Sequence, residues 1–594
     1  MARTATAEVS HPAPVYAQLH MPNSAIRTGL ARWLGPWVQA VDAASLRADA
    51  AAGLLAAVLV LPQAIAFAAL AGLPPAWGLY TAVVPTLVAA LAGSSHHVLT
   101  GPTNALSLAL VAALAPLAAA GTAEYLRLAL VVTLMVGAIQ LAVALLRLGV
   151  LTHFIAPSVL LGFTSGAALL IAWQALKGLT TWPQPQAAPL AVGLLTLVVA
   201  LLLRRFWRSG PAFLLALVAG TLAGAAASRF YGLPLERVGA LPQGLPALAL
   251  PAMTWADVPR LATISLALTI VGLGQSVAIA KLLAARSGQR LDINRECFGQ
   301  GVANVAGSFF SCFVACGSIN RSAPHLEAGA RTPLAGVMAA AAALALAAGA
   351  APLLAWVPMA AIGALLLLVA WSLVDRAQWQ ELVRLDRREA AVAAGTLVAT
   401  LLLPLQVAVL AGVAASLVVY LHRTAHPALR SMGFDRPPDV LGPRPFVVLT
   451  PGAAECPQLK LLRMEGSVWF GAAAHVGDAL ADLRTAPQPA RHLLVMAKSM
   501  NFIDGAGATL WETERQQRAA LGGGLYFHRP RPEVLALWRA SGFIERLGAE
   551  RLFADKKSAI AAIVPQLDGA ICATCPYRVF AECADQPGGA RATV

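Results

Sequence analysis

Two short polar segments interrupt long apolar stretches of the chain, and their residue types suit anion binding. Residues 101–104 read GPTN, and residues 317–321 read GSINR. Gly-Pro and Gly-Ser can each end an extended segment and open a short helix. A helix N-terminus carries roughly half a positive charge and presents free backbone N–H groups, so it binds anions without a metal. Two such ends facing each other would form a site for a small anion.

The candidate ligands are the residues that open these two helices, namely Thr103, Asn104, Ser318, Ile319 and Asn320. The two asparagines suit an N-cap or a direct ligand position. Arg321 adds a full positive charge beside the second helix start, and an intramembrane arginine is a functional candidate by default. Other interpretations stay open here: Gly-Pro can be a simple kink, and Arg321 can pair with Glu327 or face an aqueous vestibule.

The same two places belong to an internal repeat. Residues 61–66 (LPQAIA) resemble residues 273–278 (LGQSVA), and the GPTN segment resembles residues 317–320 (GSIN). The offsets are 212 and 216 residues. Two matches at nearly one offset predict two homologous halves of seven spans each, inverted in the membrane, with the site near the midplane at broken helices. The repeat also makes Gln275 a site candidate, although a lone intramembrane Gln is often only a helix–helix hydrogen bond.

The elements that position these residues are membrane spans. The chain of 594 residues is 58% hydrophobic and 12% charged, and no Asp, Glu, Lys or Arg occurs from Ala50 to Ala123. A bilayer core is crossed by roughly 20 apolar helical residues. The net charge of +14 would suggest nucleic acid in a soluble chain, but here it fits cytoplasmic loops. We therefore expect a lipid bilayer as partner and no nucleic acid.

Charge-poor runs predict 14 spans: three in 50–123, then about 128–146, 152–176, 187–203, 210–228, 261–280 and 297–314, a short helix near Asn320, two spans in 332–374 and two in 390–422. Thirteen Lys and Arg fall in the loops on the side of the termini and five in the opposite loops. By the positive-inside rule both termini are cytoplasmic. The expected divisions are a cytoplasmic N-terminal segment (1–48), a transmembrane domain (49–423), an α/β domain (440–566) and a Cys-containing tail (567–594).

Strand and helix patterns alternate after residue 440, which predicts a small α/β domain. The expected strands are 459–464, 467–470 and 492–496, and the expected helices are 472–483, 506–520, 532–541 and 557–564.

The tail contains Cys572, Cys575 and Cys583 in a C-x₂-C-x₇-C pattern. A zinc or iron–sulfur site usually needs four ligands, and the tail has three and no histidine. Cys456 or a second subunit could complete the set. Free reduced thiols are the favoured interpretation, so we expect no metal and no cofactor.

Two sequence blocks resemble the SulP family of anion transporters, and the resemblance covers about residues 40 to 565. Residues 61–107 contain the GLPP, GLY, GSS and GPT elements of the family pattern. Residues 294–332 contain NRE, GQGVANVAGS, GSINRS and AGARTP in the family order.

The resemblance implies a polytopic α-helical membrane protein with about 14 transmembrane helices in a 7+7 inverted repeat, core and gate subdomains, and a cytoplasmic STAS domain. It implies carriage of sulfate, bicarbonate, chloride or dicarboxylates, and a homodimer in the inner (cytoplasmic) membrane. Carried over by position, Gln63 and Phe67 line the site with residues 103–104 and 318–321.

The chain departs from the family pattern in two places. Members coupled to protons or sodium often carry an acidic residue where this chain has Gln275, and no Asp or Glu occurs between Asp257 and Asp292. We therefore expect anion exchange or coupling through another group. In the STAS-like part, Gly505 and Ala506 replace phosphorylatable residues, so a structural role or a cytoplasmic protein partner is expected.

Secondary active transport of a small anion, with sulfate favoured, is the leading hypothesis. The alternatives are an anion channel on the same fold, an anion-sensing receptor that signals through the STAS domain, and a nucleobase carrier, against which Arg321 argues. An enzyme is not expected, since neither G-x-S-x-G nor H-E-x-x-H occurs.

Overall fold

The computed structural model describes residues 35–587, apart from 155, 181–186, 207–211, 234, 240–247, 249, 436–443 and 451. Most of the predicted N-terminal segment and the last seven residues of the predicted tail lie outside this range. The chain divides into two compact units, Met1–Ser416 and Leu417–Val594.

The first half of the membrane unit contains seven helices: α1 (Ala43–Leu70), α2 (Pro75–Ala92), α3 (Asn104–Leu114), α4 (Ala123–Leu145), α5 (Pro157–Thr180), α6 (Ala187–Phe206) and α7 (Ala212–Tyr231). A two-residue strand, β1 (Thr100–Gly101), precedes α3. Side-chain caps fix several starts; Asp42, for example, accepts from the N–H of Ser45 at 2.6 Å in a capping box.

The second half has the same order of elements: α8 (Asp257–Ser287), α9 (Ile293–Ser308), β2 (Cys316–Gly317), α10 (Ile319–Glu327), α11 (Leu334–Leu354), α12 (Met359–Leu373), α13 (Arg376–Leu385), α14 (Arg387–Leu402) and α15 (Leu405–Thr424). Helix α13 is additional to the predicted spans. It is amphipathic and has no buried residue, so its charges hid it from a search for apolar runs.

A helix occupies each of the 14 predicted segments in the described part of the chain. Nine of the described helices are long and apolar enough to cross a membrane, and the full number of crossings stays a prediction. The predicted span 297–314 is wrong at its C-terminal end, because α9 stops at Ser308. Ser311 adopts a positive φ of 53°, which breaks the helix, and the chain then continues extended to β2.

The membrane helices pack as two groups, and each group takes helices from both halves. Helices α1–α4 pack with α8–α11, whereas α5–α7 pack with α12 and α14. Small residues allow the close approach: a Cβ on Gly299 of α9 would lie 2.5 Å from the Cα of Gly93, directly after α2. This contact holds α9 against the segment that leads into β1.

The second unit contains a seven-stranded mixed sheet formed by β3 (Ala428–Phe434), β4 (Phe446–Val448), β5 (Leu459–Val468), β6 (His492–Met496), β7 (Met500–Ile503), β8 (Leu525–His528) and β9 (Leu552–Phe553). The order is β4-β3-β5-β6-β8-β9, and β7 pairs with β5. Pairing is antiparallel at β3–β4 and β3–β5 and parallel elsewhere.

Six helices accompany this sheet: α16 (Phe470–Thr485), α17 (Gly505–Ala520), α18 (Pro532–Ala540), α19 (Phe543–Leu547), α20 (Lys556–Ile563) and α21 (Gly569–Thr574). Leu493 and Val495 of β6 belong to the hydrophobic cluster that contains Trp511 and Trp538. Leu494 and Met496 belong to the opposite cluster, as the period of two requires.

Two details of this unit differ from the predicted boundaries. Strand β3 precedes residue 440, the predicted start, and its mixed burial pattern lacks the alternation that would predict a strand. The predicted strand 467–470 is wrong beyond Val468, because α16 begins at Phe470. Asp504 explains this early helix start, since its Oδ2 accepts from the N–H of Phe470 at 2.8 Å.

Candidate functional site

The two helix starts singled out in the sequence are joined by backbone pairing. Strands β1 and β2 pair antiparallel, with Thr100 opposite Gly317 and Gly101 opposite Cys316. Helix α3 begins three residues after β1, and α10 begins two residues after β2. Because the strands run in opposite directions, the two helices leave a shared point, and the free N–H groups of both first turns lie next to it.

Arg321 is buried at this point without a carboxylate partner. Its side chain is 1% exposed, and its Nη2 donates to the carbonyl oxygen of Pro102 at 3.1 Å. Its Nε has no hydrogen-bond partner in the described part of the chain. The alternative pairing with Glu327 is wrong: among the described residues, no ion pair involves Arg321. No carboxylate among the described residues therefore neutralises the guanidinium charge.

Gly101 makes room for that guanidinium group. A Cβ at Gly101 would lie 2.5 Å from Nη1 of Arg321, which real Cβ contacts do not allow. Gly101, which the sequence indicated as part of a helix start, thus also lets Arg321 of the second half lie against the β1 backbone.

A hydrogen-bond chain links three of the predicted site elements. Thr103 Oγ1 and Cys316 Sγ lie 3.4 Å apart, and Cys316 Sγ donates to Oε1 of Gln275 at 3.4 Å. The N–H of Gly317 donates to Ser276 Oγ at 2.8 Å. The start of α3, strand β2 and helix α8 therefore meet at one place.

The N-cap of α3 lies one residue before Asn104 and that of α10 lies two residues before Asn320, the asparagines that the sequence favoured as N-caps. Thr103 and Ser318 are extended and act as the N-caps, so Asn104 and Asn320 lie inside the first turns. Neither cap side chain accepts a helix N–H. The N–H of Ala105 is accepted by Asn104 Oδ1 at 2.8 Å and that of Arg321 by the Ser318 carbonyl at 3.3 Å, so only the other first-turn donors are available. Asn104 is half-buried, whereas Ile319 and Asn320 are exposed.

Gln63 and Phe67 lie four residues apart on α1, so they share one face of that helix. Phe67 is 6% exposed and packs in the main hydrophobic cluster. Gln63 is half-buried. Helix α1 packs against α3 and α10, and the lining role of these two side chains stays a prediction.

A polar face on α9, which was not singled out as a site element, holds the segment before β1. Glu296 Oε2 accepts from the N–H groups of Ser94 at 3.1 Å and Ser95 at 2.9 Å. One turn later, Gln300 Nε2 donates to Thr100 Oγ1 at 2.8 Å. Glu296 is 2% exposed and forms no ion pair among the described residues. The hydrogen bonds from α9 hold β1 and the segment that leads into it in place.

The next polar residue on the same face holds the segment before β2. Asn304 Oδ1 accepts from the N–H of Ala315 at 2.8 Å, and its Nδ2 donates to the Ala315 carbonyl at 3.0 Å and to Gln140 Oε1 at 2.9 Å. Glu296, Gln300 and Asn304 are spaced by four residues in an apolar helix. That spacing is the signal that could have identified this polar face.

Comparison with known proteins assigns the family. The family model described as the sulfate permease family matches residues 46–396, a range that contains both helix starts and Arg321. The chain belongs to the sulfate permease family. Curated relatives agree with this assignment: a probable sulfate transporter of Mycobacterium tuberculosis is 30% identical over 541 residues, which cover 87% of this chain and 95% of the relative. "Sulfate transporter 4.1, chloroplastic" of Arabidopsis thaliana is 28% identical and covers 86% and 79%.

Solved structures share the fold of this sulfate permease family member. The murine Solute Carrier 26 family member A9 anion transporter in the inward-facing state matches with a TM-score of 0.80 at 20% identity and covers 92% of this chain and 97% of that chain. The transmembrane domain of the cyanobacterial bicarbonate transporter BicA matches with a TM-score of 0.58 at 25% identity and covers 62% and 98%. The chain is thus a multi-pass membrane protein that transports anions, and it is not an enzyme.

Proposed function

We propose that this chain is a secondary active transporter of sulfate, which it moves by alternating access. The anion would lie between the starts of α3 and α10, close to Arg321. The printed names of the curated relatives support sulfate as the substrate. Two helix N-termini and one guanidinium offer about two positive charges in total, which suits a divalent oxyanion.

The unneutralised charge of Arg321 is the observation that carries the proposal. Burying an unpaired charge costs several kcal/mol unless a partner neutralises it. The described residues offer this side chain only the Pro102 carbonyl, so an anion from outside the chain is the partner that would complete the site. The protein groups around it, including Thr103 and Ser318, are neutral.

The coupling mode we propose is anion exchange. By the family resemblance, Gln275 falls where members coupled to protons or sodium often carry a carboxylate, and it accepts a hydrogen bond from Cys316. The buried carboxylate of Glu296 is engaged by backbone and amide donors, so it already serves the fold. A proton or sodium acceptor is therefore not evident near Gln275 among the described residues.

We further propose a homodimer in the cytoplasmic membrane with both termini in the cytoplasm. The arginine and lysine distribution in the loops supports the orientation. We also propose that the α/β unit is a STAS domain, which its mixed sheet and accompanying helices support, and that it binds a cytoplasmic protein partner.

The test is uptake of radiolabelled sulfate, bicarbonate and succinate into proteoliposomes, with and without pH, sodium and chloride gradients. We expect sulfate uptake that depends on an internal anion, and we expect Arg321→Ala to lower it on the order of 100-fold, the value of one or two charge-assisted hydrogen bonds. The matched control is Arg290→Ala, an exposed arginine, which should retain wild-type uptake.

Three results would contradict parts of the proposal. Wild-type uptake in Arg321→Ala would show that the helix-start site does not bind the anion. Binding of sulfate to the purified protein without flux of any of the three anions would favour the receptor hypothesis instead. Sulfate uptake driven by a proton or sodium gradient, without internal anion, would contradict exchange alone.

A further inference from the structure

Three polar side chains form the buried face of α10, and each contacts the chain segment around β1. They are Arg321, Ser322 and His325. The contact of Arg321 is the carbonyl bond described above. Ser322 Oγ accepts from the N–H of Leu99 at 2.9 Å, and His325 Nδ1 lies 3.3 Å from the carbonyl oxygen of His97. The guanidinium group beside the anion site and the imidazole of His325 therefore lie along one continuous contact.

The imidazole of His325 has one nitrogen that is free to bind a proton. A carbonyl oxygen can only accept a hydrogen bond, so the contact with His97 places the hydrogen of the neutral ring on Nδ1. Nε2 then carries the lone pair, and it has no hydrogen-bond partner in the described part of the chain. His325 is 1% exposed. A buried basic nitrogen without a donor is costly to leave unsatisfied, and a proton satisfies it.

A buried carboxylate lies on a helix that packs against α10. Asp49 of α1 is 0% exposed, and no ion pair among the described residues involves it. Its Oδ1 accepts from the N–H groups of Arg331 at 2.7 Å and Thr332 at 3.2 Å, and its Oδ2 accepts from Thr332 Oγ1 at 2.5 Å. Helices α1 and α10 are in contact, and an electrostatic interaction links Asp49 to the ring of His325. A proton on His325 would therefore be attracted by this negative charge.

The other titratable groups on the elements around α10 are exposed, paired or uncharged. In the segment before β1, His97 is 4% exposed with an unpartnered Nδ1, and His96 is half-buried. Asp257, at the far end of α8, is paired with Arg127. The remaining charged side chains of α1, α8 and α10 and of the turn after α10 are exposed: Arg47, Arg260, Lys281, Arg286, Glu327 and Arg331. On these elements, Asp49 and Arg321 are thus the two buried charges without an ionic partner among the described residues.

We propose that His325 Nε2 binds a proton while sulfate occupies the helix starts, so that each sulfate is carried together with a proton. The inference rests on the proposed function, sulfate exchange at the Arg321 site. His325 follows Arg321 by four residues, which is one helical turn, and a dianion there attracts a nearby proton more strongly than a monovalent anion does. Sulfate and one proton carry the same net charge as one chloride that leaves. The exchange then moves no net charge, and Gln275 does not have to bind the proton.

The experiment follows sulfate and protons together in proteoliposomes that contain the full-length protein, chloride and a pH-sensitive dye. At equal starting pH on both sides, we expect sulfate uptake by the wild type to acidify the lumen. Uptake should rise roughly tenfold when the pH outside falls from about 8 to about 7, as the protonated fraction of a histidine does. A membrane potential set with potassium and valinomycin should leave the uptake unchanged. His325→Gln keeps a polar side chain that does not titrate, and it should lose both the acidification and the pH dependence.

The matched control is His422→Gln, which changes an exposed histidine of α15 and should keep both effects. Chloride-for-chloride exchange, which needs no proton, reports whether His325→Gln is folded, and the wild-type measurement needs no variant. Sulfate uptake by the wild type without proton movement would overturn this inference and leave the proposed sulfate exchange standing. Proton movement that persists in His325→Gln would overturn the assignment to His325. A wild type that takes up no sulfate would overturn both this inference and the proposed function.

Discussion

Two arginines, one in each compact unit, are almost fully removed from solvent, and they are treated differently. Arg518 is 0% exposed in its side chain, and its Nε contacts Glu514 Oε1 at 2.7 Å. Arg321 is 1% exposed and contacts only a carbonyl oxygen in the described part of the chain. The described residues compensate the first charge with a carboxylate and offer the second only a carbonyl oxygen. Under the proposed function, the first buried charge stabilises the fold and the second binds the anion.

The largest effect that we expect breaks the compensated pair. Arg518→Ala leaves Glu514, which is 2% exposed, with Arg484 as its remaining cationic contact. Removing one partner of a buried pair destabilises by about 3 kcal/mol. Calorimetry of the full chain should show a lower melting transition for the second unit, and the exposed Arg539→Ala should not. An unchanged transition would show that Arg518 is not stabilising.

The next effect comes from giving Arg321 an internal counter-ion. Ser318→Asp places a carboxylate at the N-cap of α10, where it favours the helix and repels a second anion. We expect sulfate uptake to fall on the order of 100-fold, about 2.7 kcal/mol, with the fold retained. Ser318→Asn introduces a neutral side chain with the shape of Asp, and it should keep far more sulfate uptake than Ser318→Asp. Equal uptake by the two variants would show that the charge at this helix start does not matter.

The smallest effect concerns pH and the compensated charges of the second unit. Hydrogen bonds from Arg515, followed by Arg546, hold the pKa of Glu512 at about 2. Because the folded-state pKa is below the unfolded value, this stabilisation is present above about pH 4.5 and is lost as the pH falls towards 2. After solvent screening we expect about 1 kcal/mol. Glu512→Gln should be less stable than the wild type at pH 7 and should lose less stability on acidification. Urea unfolding at each pH would measure both free energies of unfolding. Parallel plots of the free energy of unfolding against pH for the two proteins would contradict this prediction.

The sequence predicted the parts of the fold that depend on local patterns. Charge-poor runs located the membrane helices, and β6 and α17 have nearly the predicted bounds, because burial on one or two faces leaves a clear period. Helix α13 was missed because its charges exclude it from a search for apolar runs, and strand β3 was missed because it lacks a clear alternation. The end of α9 was wrong because a backbone reversal at Ser311 is not encoded in hydropathy.

The candidate site was predictable only in part. The glycines and Arg321 identified both helix starts, since helix-opening residues act locally. The pairing of β1 with β2, the room that Gly101 leaves for Arg321 and the carbonyl contact at Pro102 depend on residues more than 200 positions apart. Hydrogen-bond partners at that separation cannot be deduced from one sequence. The bond from Gln300 to Thr100, 200 residues apart, was missed for the same reason. The bonds of Asn304 to Ala315, 11 residues away, were missed because the four-residue spacing of the polar face on α9 was not recognised.

The β1–β2 pair has a consequence for how such a gene can be divided. The pair joins residues 100–101 to residues 316–317, and the connection between α7 and α8 lies between them. A chain cut in that connection would give two fragments, each with an unpaired strand and each without polar partners from the other, such as Gln300 for Thr100. Neither fragment would fold on its own, so the two fragments would have to be synthesised together and pair with each other in order to assemble.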